Sequence, residues 1–276
     1  MDPYRSVLFV PGSKPERIDA AESSAADAVV VDLEDGVAPE HKDVARENAI
    51  DAVEAWRSDT PLGVRVNGVD TAWGVADVDA LVTADAYPGF VAVPDVRGPS
   101  EVQVVAEAVG GTAIELLPLI ERPSAVFRVA EIARSPRVFG LLFAAIDLQI
   151  RMGMSVLGES ELSVPRSLVS MAASAADAVA IDKPLLADDP DRLAAECSQA
   201  LALGYDGKLA VTPAQAAAIN DAFTPSEAEL AEARRIIEAF EADGAGLVDV
   251  DGTFVDKPVV DQLRDLLARG EAAGRN

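Results

Sequence analysis

The sequence predicts a (β/α)8 TIM barrel followed by a C-terminal helical appendage. Three observations carry that reading. Eight short apolar runs alternate with stretches of helical spacing between residues 7 and 211, the pattern of a parallel sheet joined by crossover helices. Charged and amide residues gather at the downstream ends of these runs, where this fold places its chemistry. After residue 222 the alternation stops, and two helical patterns flank a glycine-rich connector. The barrel is therefore assigned to residues 1–222 and the appendage to residues 223–276. An open doubly wound sheet is the rival, but eight regular units without a Gly-x-Gly-x-x-Gly turn favour closure.

The first strand spans residues 7–10 and breaks at Pro11-Gly12-Ser13, after which 14–24 has helical spacing. The second spans 28–33 and stops at Glu34-Asp35-Gly36; the third spans 62–66 and stops at Asn67-Gly68. The fourth is 89–93, backed by Pro94, and the fifth and sixth are 114–120 and 138–146. The seventh, 178–181, runs into Asp182-Lys183-Pro184, and the eighth, 207–211, into Thr212-Pro213. Continuous apolar character is what a strand covered on both faces requires. Asp189-Pro190 reads as an N-cap with proline at the first helical position, and Gly204 closes that helix. Ser226 and Glu229 form a capping box opening a helix that runs to residue 242. Residues 244–258, with Gly244, Gly246 and Gly252, read as a connector, and 259–269 as a last amphipathic helix. The appendage either covers the site or reaches a neighbouring subunit.

Composition narrows the partners. The chain has 276 residues, 47 acidic and 23 basic, for a formal charge of −24. The acids are spread over helix surfaces, which repels nucleic acid and anionic membranes. Five of the 23 bases are lysine and the remaining 18 are arginine (23 − 5). This lysine-poor acidic surface matches a halophilic protein; an ordinary acidic mesophile protein is the alternative. No apolar run reaches the roughly 18 residues of a membrane span. The N-terminus reads as a strand and turn, not a signal peptide, so a cytoplasmic protein is expected. Cys197 is the single cysteine, which rules out an intramolecular disulfide. Its mid-helix position suits packing better than nucleophilic work. His41, the single histidine, lies in a solvated Pro-Glu-His-Lys stretch. A Ser-His-Asp set and a His/Cys zinc site are both excluded by supply.

Two apolar runs end in lone carboxylates, Glu121 and Asp147, 26 residues apart (147 − 121). That gap fits one strand-helix-strand step, so the two acids can converge on one point and hold a hard divalent ion. Two carboxylates can bind Mg²⁺ and leave its other positions to water and substrate. An ion so held polarises a keto or hydroxy acid. Arg65, at the third strand end, offers a fixed fork for a carboxylate or oxyanion. Glu34 and Asp35 can accept hydrogen bonds from metal-bound water. Each acid taken alone reads equally well as a loop charge; four strand ends together favour a site.

These residues sit in motifs that carry a resemblance. R-S-V-L-F-V-P-G-S-K-P-E-R, V-V-V-D-L-E-D-G-V-A-P-E-H-K, V-R-V-N-G-V-D-T-A-W-G, L-I-E-R, A-I-D-L, G-Y-D-G-K-L-A-V-T-P-A-Q and D-G-T-F-V-D-K-P occur in order from Arg5 to Leu267. The ordered set resembles the citrate lyase β-subunit-like proteins of the HpcH/HpaI aldolase superfamily, which include malyl-CoA, β-methylmalyl-CoA and citramalyl-CoA lyases. The resemblance implies a Mg²⁺-dependent barrel, with Mn²⁺ as substitute, that breaks or makes a carbon-carbon bond in a 3-hydroxyacyl-CoA thioester. The partners implied are a CoA thioester and a small oxo acid such as glyoxylate. By analogy Glu121 and Asp147 are the metal ligands, and Arg65 binds the oxo-acid oxygen. Lys14 and Arg17 lie by the CoA phosphates. Asp256 matches an acid/base delivered by a neighbouring subunit, which implies a homo-oligomer, trimer or hexamer. The alternatives are a citrate lyase β subunit, an aldolase acting without CoA, and a non-catalytic barrel that binds CoA esters. The sequence departs from its relatives at Arg122, Ile146, Lys183 and Thr212. Arg122 and Lys183 either contact an extra anionic group of the substrate or pair with nearby acids.

Overall fold

Parallel pairing runs through eight strands and closes on itself in this computed structural model, which describes residues 4–84, 87–155, 162–244 and 246–272. The strands are β1 (Ser6–Pro11), β2 (Ala28–Asp32), β3 (Leu62–Arg65), β4 (Phe90–Val93), β5 (Glu115–Ile120), β6 (Gly140–Phe143), β7 (Val179–Asp182) and β8 (Gly207–Ala210). Closure is made by β1 and β8, with Val7 opposite Leu209 and Leu8 opposite Ala210. The barrel is as predicted, and the open doubly wound alternative is overturned.

Helices α1 (Pro15–Glu22), α2 (Lys42–Ala55), α3 (Ala72–Thr83), α4 (Pro99–Ala108), α5 (Pro123–Phe127), α6 (Val129–Ala133), α7 (Ala145–Arg151), α8 (Ser163–Ser174), α9 (Pro190–Ala202) and α10 (Pro213–Phe223) lie between and after the strands. Proline opens α1, α4, α5, α9 and α10. Its fixed φ suits a first helical turn, whose N–H groups have no partner within the helix. Asp189 caps α9 by accepting the Arg192 N–H at 3.0 Å, as the sequence indicates.

Inside the barrel, alternate residues of each strand meet on the axis. Val7, Val30, Phe90, Leu117, Leu119, Leu142, Ile181 and Leu209 form one buried cluster. Burying each of these side chains is worth about 1.5–3 kcal/mol. Phe90 packs edge-on to Phe139, with centroids 5.3 Å apart. Gly63 makes room for it, since a Cβ there would stand 2.4 Å from the Phe90 ring. The same alternation brings Asp32 and Arg65 inward one step above this cluster.

The sixth strand ends earlier than predicted. Residues 138–146 read as one strand, but the ladder stops at Phe143 and α7 begins at Ala145. Ala145 and Leu148 are buried, so the first turn of α7 prolongs the apolar run. An apolar run does not distinguish a buried strand from a buried helix start. Asp147 therefore sits in the first turn of a helix, not on a strand.

Residues are divided into two compact units, 3–220 and 221–276. The second contains α11 (Glu227–Asp243), strands β9 (Leu247–Val250) and β10 (Thr253–Asp256), and α12 (Lys257–Ala272). The Ser226–Glu229 capping box forms, with the Glu229 N–H 3.2 Å from Ser226 Oγ and the Ser226 N–H 2.8 Å from Glu229 Oε2. Gly244 ends α11 at φ 68, the left-handed conformation glycine adopts without strain. The stretch expected to be a connector is an antiparallel hairpin. Asp251 and Gly252, at φ 52 and φ 85, make its two-residue turn. Asp-Gly between alternating apolar residues is a hairpin signal, and the glycine that suggests a connector here serves the turn. Ile237, Val250, Val255 and Val260 form the core of this unit. Among the described residues, no helix is long and apolar enough to cross a membrane.

Candidate active site

The downstream ends of the strands surround a cavity of about 450 Å³. Its polar wall is Asp32, Asp35, Arg65, Asp147 and Arg17; its apolar wall includes Phe9, Ile146, Leu186 and Val211. The predicted residues Arg65, Asp35, Asp147 and Arg17 are thus brought together. Lys14 is exposed at the start of α1 and is not part of this wall.

Arg65 and Asp32 end adjacent strands and face each other in register. Arg65 Nε donates to Asp32 Oδ1 and Nη2 to Oδ2, both at 2.7 Å. Arg65 Nη1 lies 2.9 Å from Glu34 Oε2, and the guanidinium lies over the Phe9 ring, 5.4 Å from its centroid. The N–H groups of Glu34 and Gly36 also donate to Asp32, at 2.8 and 2.9 Å. Burial works to raise the Asp32 pKa, but Arg65 and these amides outweigh it and hold the carboxyl below its ordinary range. Asp32 falls inside the second predicted strand and is the last residue of β2. The alternation Ala28, Val30, Asp32 was the signal that its side chain points inward.

Glu121 follows β5 and is 2% exposed. Its Oε1 accepts the Asp95 N–H at 2.6 Å, while its Oε2 is buried without a hydrogen-bond partner among the described residues. Burial, with repulsion from Asp147 and Asp95, pushes its pKa up to about 7 against the Asp95 N–H and Arg65. Asp147 is raised as well, first by burial and then by Asp35, against Arg65 and Arg151. Glu34 is pushed up to about 9, by burial and by Glu121, Asp35 and Asp32, although Arg65 opposes this. Three carboxylates, Asp32, Glu34 and Asp35, thus lie within 3.9 Å of the Arg65 guanidinium, and Glu121 and Asp147 feel its charge. Among the described residues, no three acid, histidine or cysteine side chains form a complete metal cage. The fit is to a hard cation held by two acids: Glu121 presents an unpartnered oxygen beside the Asp147 charge, and negative charge is in excess.

A buried network supports the Glu34–Asp35 loop. Lys42, 6% exposed, donates from Nζ to Leu33 O at 2.7 Å, Glu34 O at 2.6 Å and Asn67 Oδ1 at 2.7 Å. Asn67 is held by Asp77 through its N–H at 2.9 Å and its Nδ2 at 2.6 Å. Asp77 in turn accepts Arg46 Nε at 2.7 Å. None of these residues was singled out from the sequence for a role in the site. Arg122 and Lys183 pair with acids: Arg122 with Asp95, and Lys183 with Glu196 at 2.8 Å. Asp256 belongs to the C-terminal unit, where it precedes α12 and accepts the Val259 N–H at 3.3 Å.

A family model described as HpcH/HpaI aldolase/citrate lyase matches residues 5–213. Over 98% of this chain and 95% of the relative, the chain is 35% identical to a (3S)-malyl-CoA thioesterase of Cereibacter sphaeroides. It is 33% identical to an L-malyl-CoA/β-methylmalyl-CoA lyase of Rhodobacter capsulatus, over 98% and 95% of the two chains. The fold matches the crystal structure of the protein CitE from Mycobacterium tuberculosis in complex with magnesium, acetoacetate and coenzyme A. That match has a TM-score of 0.86 and 30% identity and covers 98% of each chain.

Proposed function

The chain belongs to the HpcH/HpaI aldolase/citrate lyase family, and from that membership we propose that it is a Mg²⁺-dependent carbon-carbon lyase acting on a malyl-type 3-hydroxyacyl thioester of coenzyme A. The observation that carries the reading is the buried, unpartnered Glu121 Oε2 beside Asp147, with Arg65 in the adjoining cavity wall. Glu121 and Asp147 would hold the ion. When bound, Mg²⁺ supplies Lewis-acid polarisation of the oxygen on which charge develops. The CitE structure bound to magnesium, an oxo acid and coenzyme A supports the same class of ligands here.

Arg65 is held by its two-bond fork on Asp32, so its remaining N–H donors can point into the cavity without reorganising. A donor fixed before the reaction stabilises developing negative charge best. Arg17 brings a positive charge to the rim, which suits the phosphates of coenzyme A, and Lys14 lies one turn before it. The apolar wall of Phe9, Ile146, Leu186 and Val211 suits the acyl and pantetheine chain. Asp256 of a neighbouring copy would take the hydroxyl proton of the thioester. The carbon-carbon bond then breaks, releasing glyoxylate and the enolate of acetyl- or propionyl-CoA, and the enolate carbon takes back the proton that Asp256 received.

The 35% identical thioesterase supports a second reading, hydrolysis of the same thioester. One assay separates the two. Malyl-CoA, β-methylmalyl-CoA and citramalyl-CoA are each supplied with Mg²⁺ in molar KCl. The lyase releases glyoxylate or pyruvate and leaves the CoA thioester intact. A thioesterase releases free CoA thiol and a hydroxy acid. No turnover of any of the three by folded protein would overturn both readings.

A further inference from the structure

Glu121 and Asp147 come from different segments, the first following the end of β5 and the second in the first turn of α7, and their charges oppose each other. Two like charges can stay close in the metal-free protein if something outside the pair fixes both segments. Asp95 touches both.

Asp95 follows Pro94 beyond the end of β4, with its backbone at φ 57. Aspartate is among the few residues with a side chain that enter this left-handed region readily. The resulting turn directs the Asp95 N–H onto Glu121 Oε1 at 2.6 Å. The Asp95 carboxylate receives a guanidinium fork from Arg122, the residue after Glu121, through Nε and Nη2. It also receives Arg151 Nη2 at 2.6 Å. Arg151 stands four residues beyond Asp147 at the last position of α7, one turn further along the same helix. Arg97 lies further out, its Nη2 3.7 Å from Asp95 and 2.5 Å from Asp70. One residue therefore grips the Glu121 strand end by its amide and by Arg122, and the Asp147 helix by Arg151.

We propose that Asp95 is the positioning residue of this carboxylate pair, a tether that sets the Glu121–Asp147 separation before a divalent ion arrives. The inference rests on the reading of Glu121 and Asp147 as the metal-holding pair. It assigns Arg122 and Arg151 to the tether, not to an extra anionic group of the substrate. Outer residues that orient metal-holding side chains typically change metal affinity by about 10–100-fold when removed.

The test is Mn²⁺ binding to the full chain, titrated by electron paramagnetic resonance, with thermal melting as the control on folding. Asp95→Gly keeps the N–H and suits the positive φ while deleting the carboxylate. It is expected to weaken Mn²⁺ binding about tenfold or more. Arg122→Met with Arg151→Met is expected to weaken it comparably, and adding Asp95→Gly to that double variant to cost little more, because the three form one unit. The double variant also covers the case in which Asp95→Gly fails to fold. Wild-type Mn²⁺ affinity in folded Asp95→Gly, or in the folded double variant, would overturn the tether. Glu121→Ala tests the underlying reading separately: if it binds Mn²⁺ as wild type does, the metal-holding pair is wrong, whatever Asp95 does.

Discussion

Arg65 and Asp32 end neighbouring parallel strands in direct register, and the guanidinium closes a two-bond fork on the carboxylate at 2.7 Å on both arms. Each is largely buried, with side-chain exposures of 12% and 7%. The pair fixes one cation in a cavity wall that also holds Asp35, Asp147 and Arg17.

Arg65→Lys keeps the charge but loses the fork, and a lysine does not hold a planar bidentate geometry. Loss of one preorganised oxyanion donor is expected to cost about 100-fold or more in kcat/KM with malyl-CoA. Arg65→Met additionally leaves Asp32 buried and unpaired, which is expected to destabilise the fold by about 3–5 kcal/mol. Steady-state kinetics and urea unfolding read the two effects apart. Wild-type kcat/KM in Arg65→Lys would remove Arg65 from the chemistry.

Glu34 carries a pH prediction. Its carboxyl is pushed up to about 9 in the folded metal-free protein, from an ordinary value of 4.5. Between those values the folded chain holds a proton that the unfolded chain has released. Stability contributed by this group is therefore present at low pH and lost as pH rises through the window. Glu34→Gln cannot ionise, so its stability in EDTA should gain on wild type steadily from pH 5 to pH 9. Melting curves that stay parallel across that range would contradict the assignment.

Lys42 holds the backbone of the acidic loop. Lys42→Met leaves Glu34 O and Asn67 Oδ1 without their buried donor, at an expected cost of about 1–3 kcal/mol. Turnover should fall as well, because the loop carrying Glu34 and Asp35 loses its anchor. Urea unfolding and kcat measured on the same preparation check both. Unchanged stability would mean that water replaces the ammonium at no cost.

Cys197 is fully buried, and burial pushes its thiol up to about 11. The thiolate is the reactive form, so iodoacetamide at pH 8 should leave the native protein unlabelled and label it fully in guanidinium chloride. Mass spectrometry reads the result. Rapid native labelling would show that α9 opens from the barrel in solution.

The barrel was legible because its signal is periodic. Eight apolar runs, each bounded by turn residues, admit few topologies once helices must cover both faces of the sheet. The strand ends were legible for the same reason, since an acid or arginine closing an apolar run has to sit at a rim. Where periodicity failed, the reading failed with it. The run through residues 138–146 joins the short strand β6 to the buried first turn of α7, and hydrophobicity alone does not separate them.

By itself, the sequence determined which residues arrive at the mouth of the barrel, Arg65 and Asp35 among them, because the point where each apolar run stops fixes which residues stand at the rim. The tertiary structure decided how those residues pair. Asp32 binds Arg65 across two strands, the Asp95 amide meets Glu121 across a gap of 26 residues, and Lys42 reaches Asn67 across 25. Such bonds depend on strand stagger and on a backbone turned to φ 57 at a residue that local pattern does not mark. Hydrophobic periodicity acts along the chain, whereas the partner of a buried charge is set by whichever groups closure of the barrel brings within hydrogen-bonding reach.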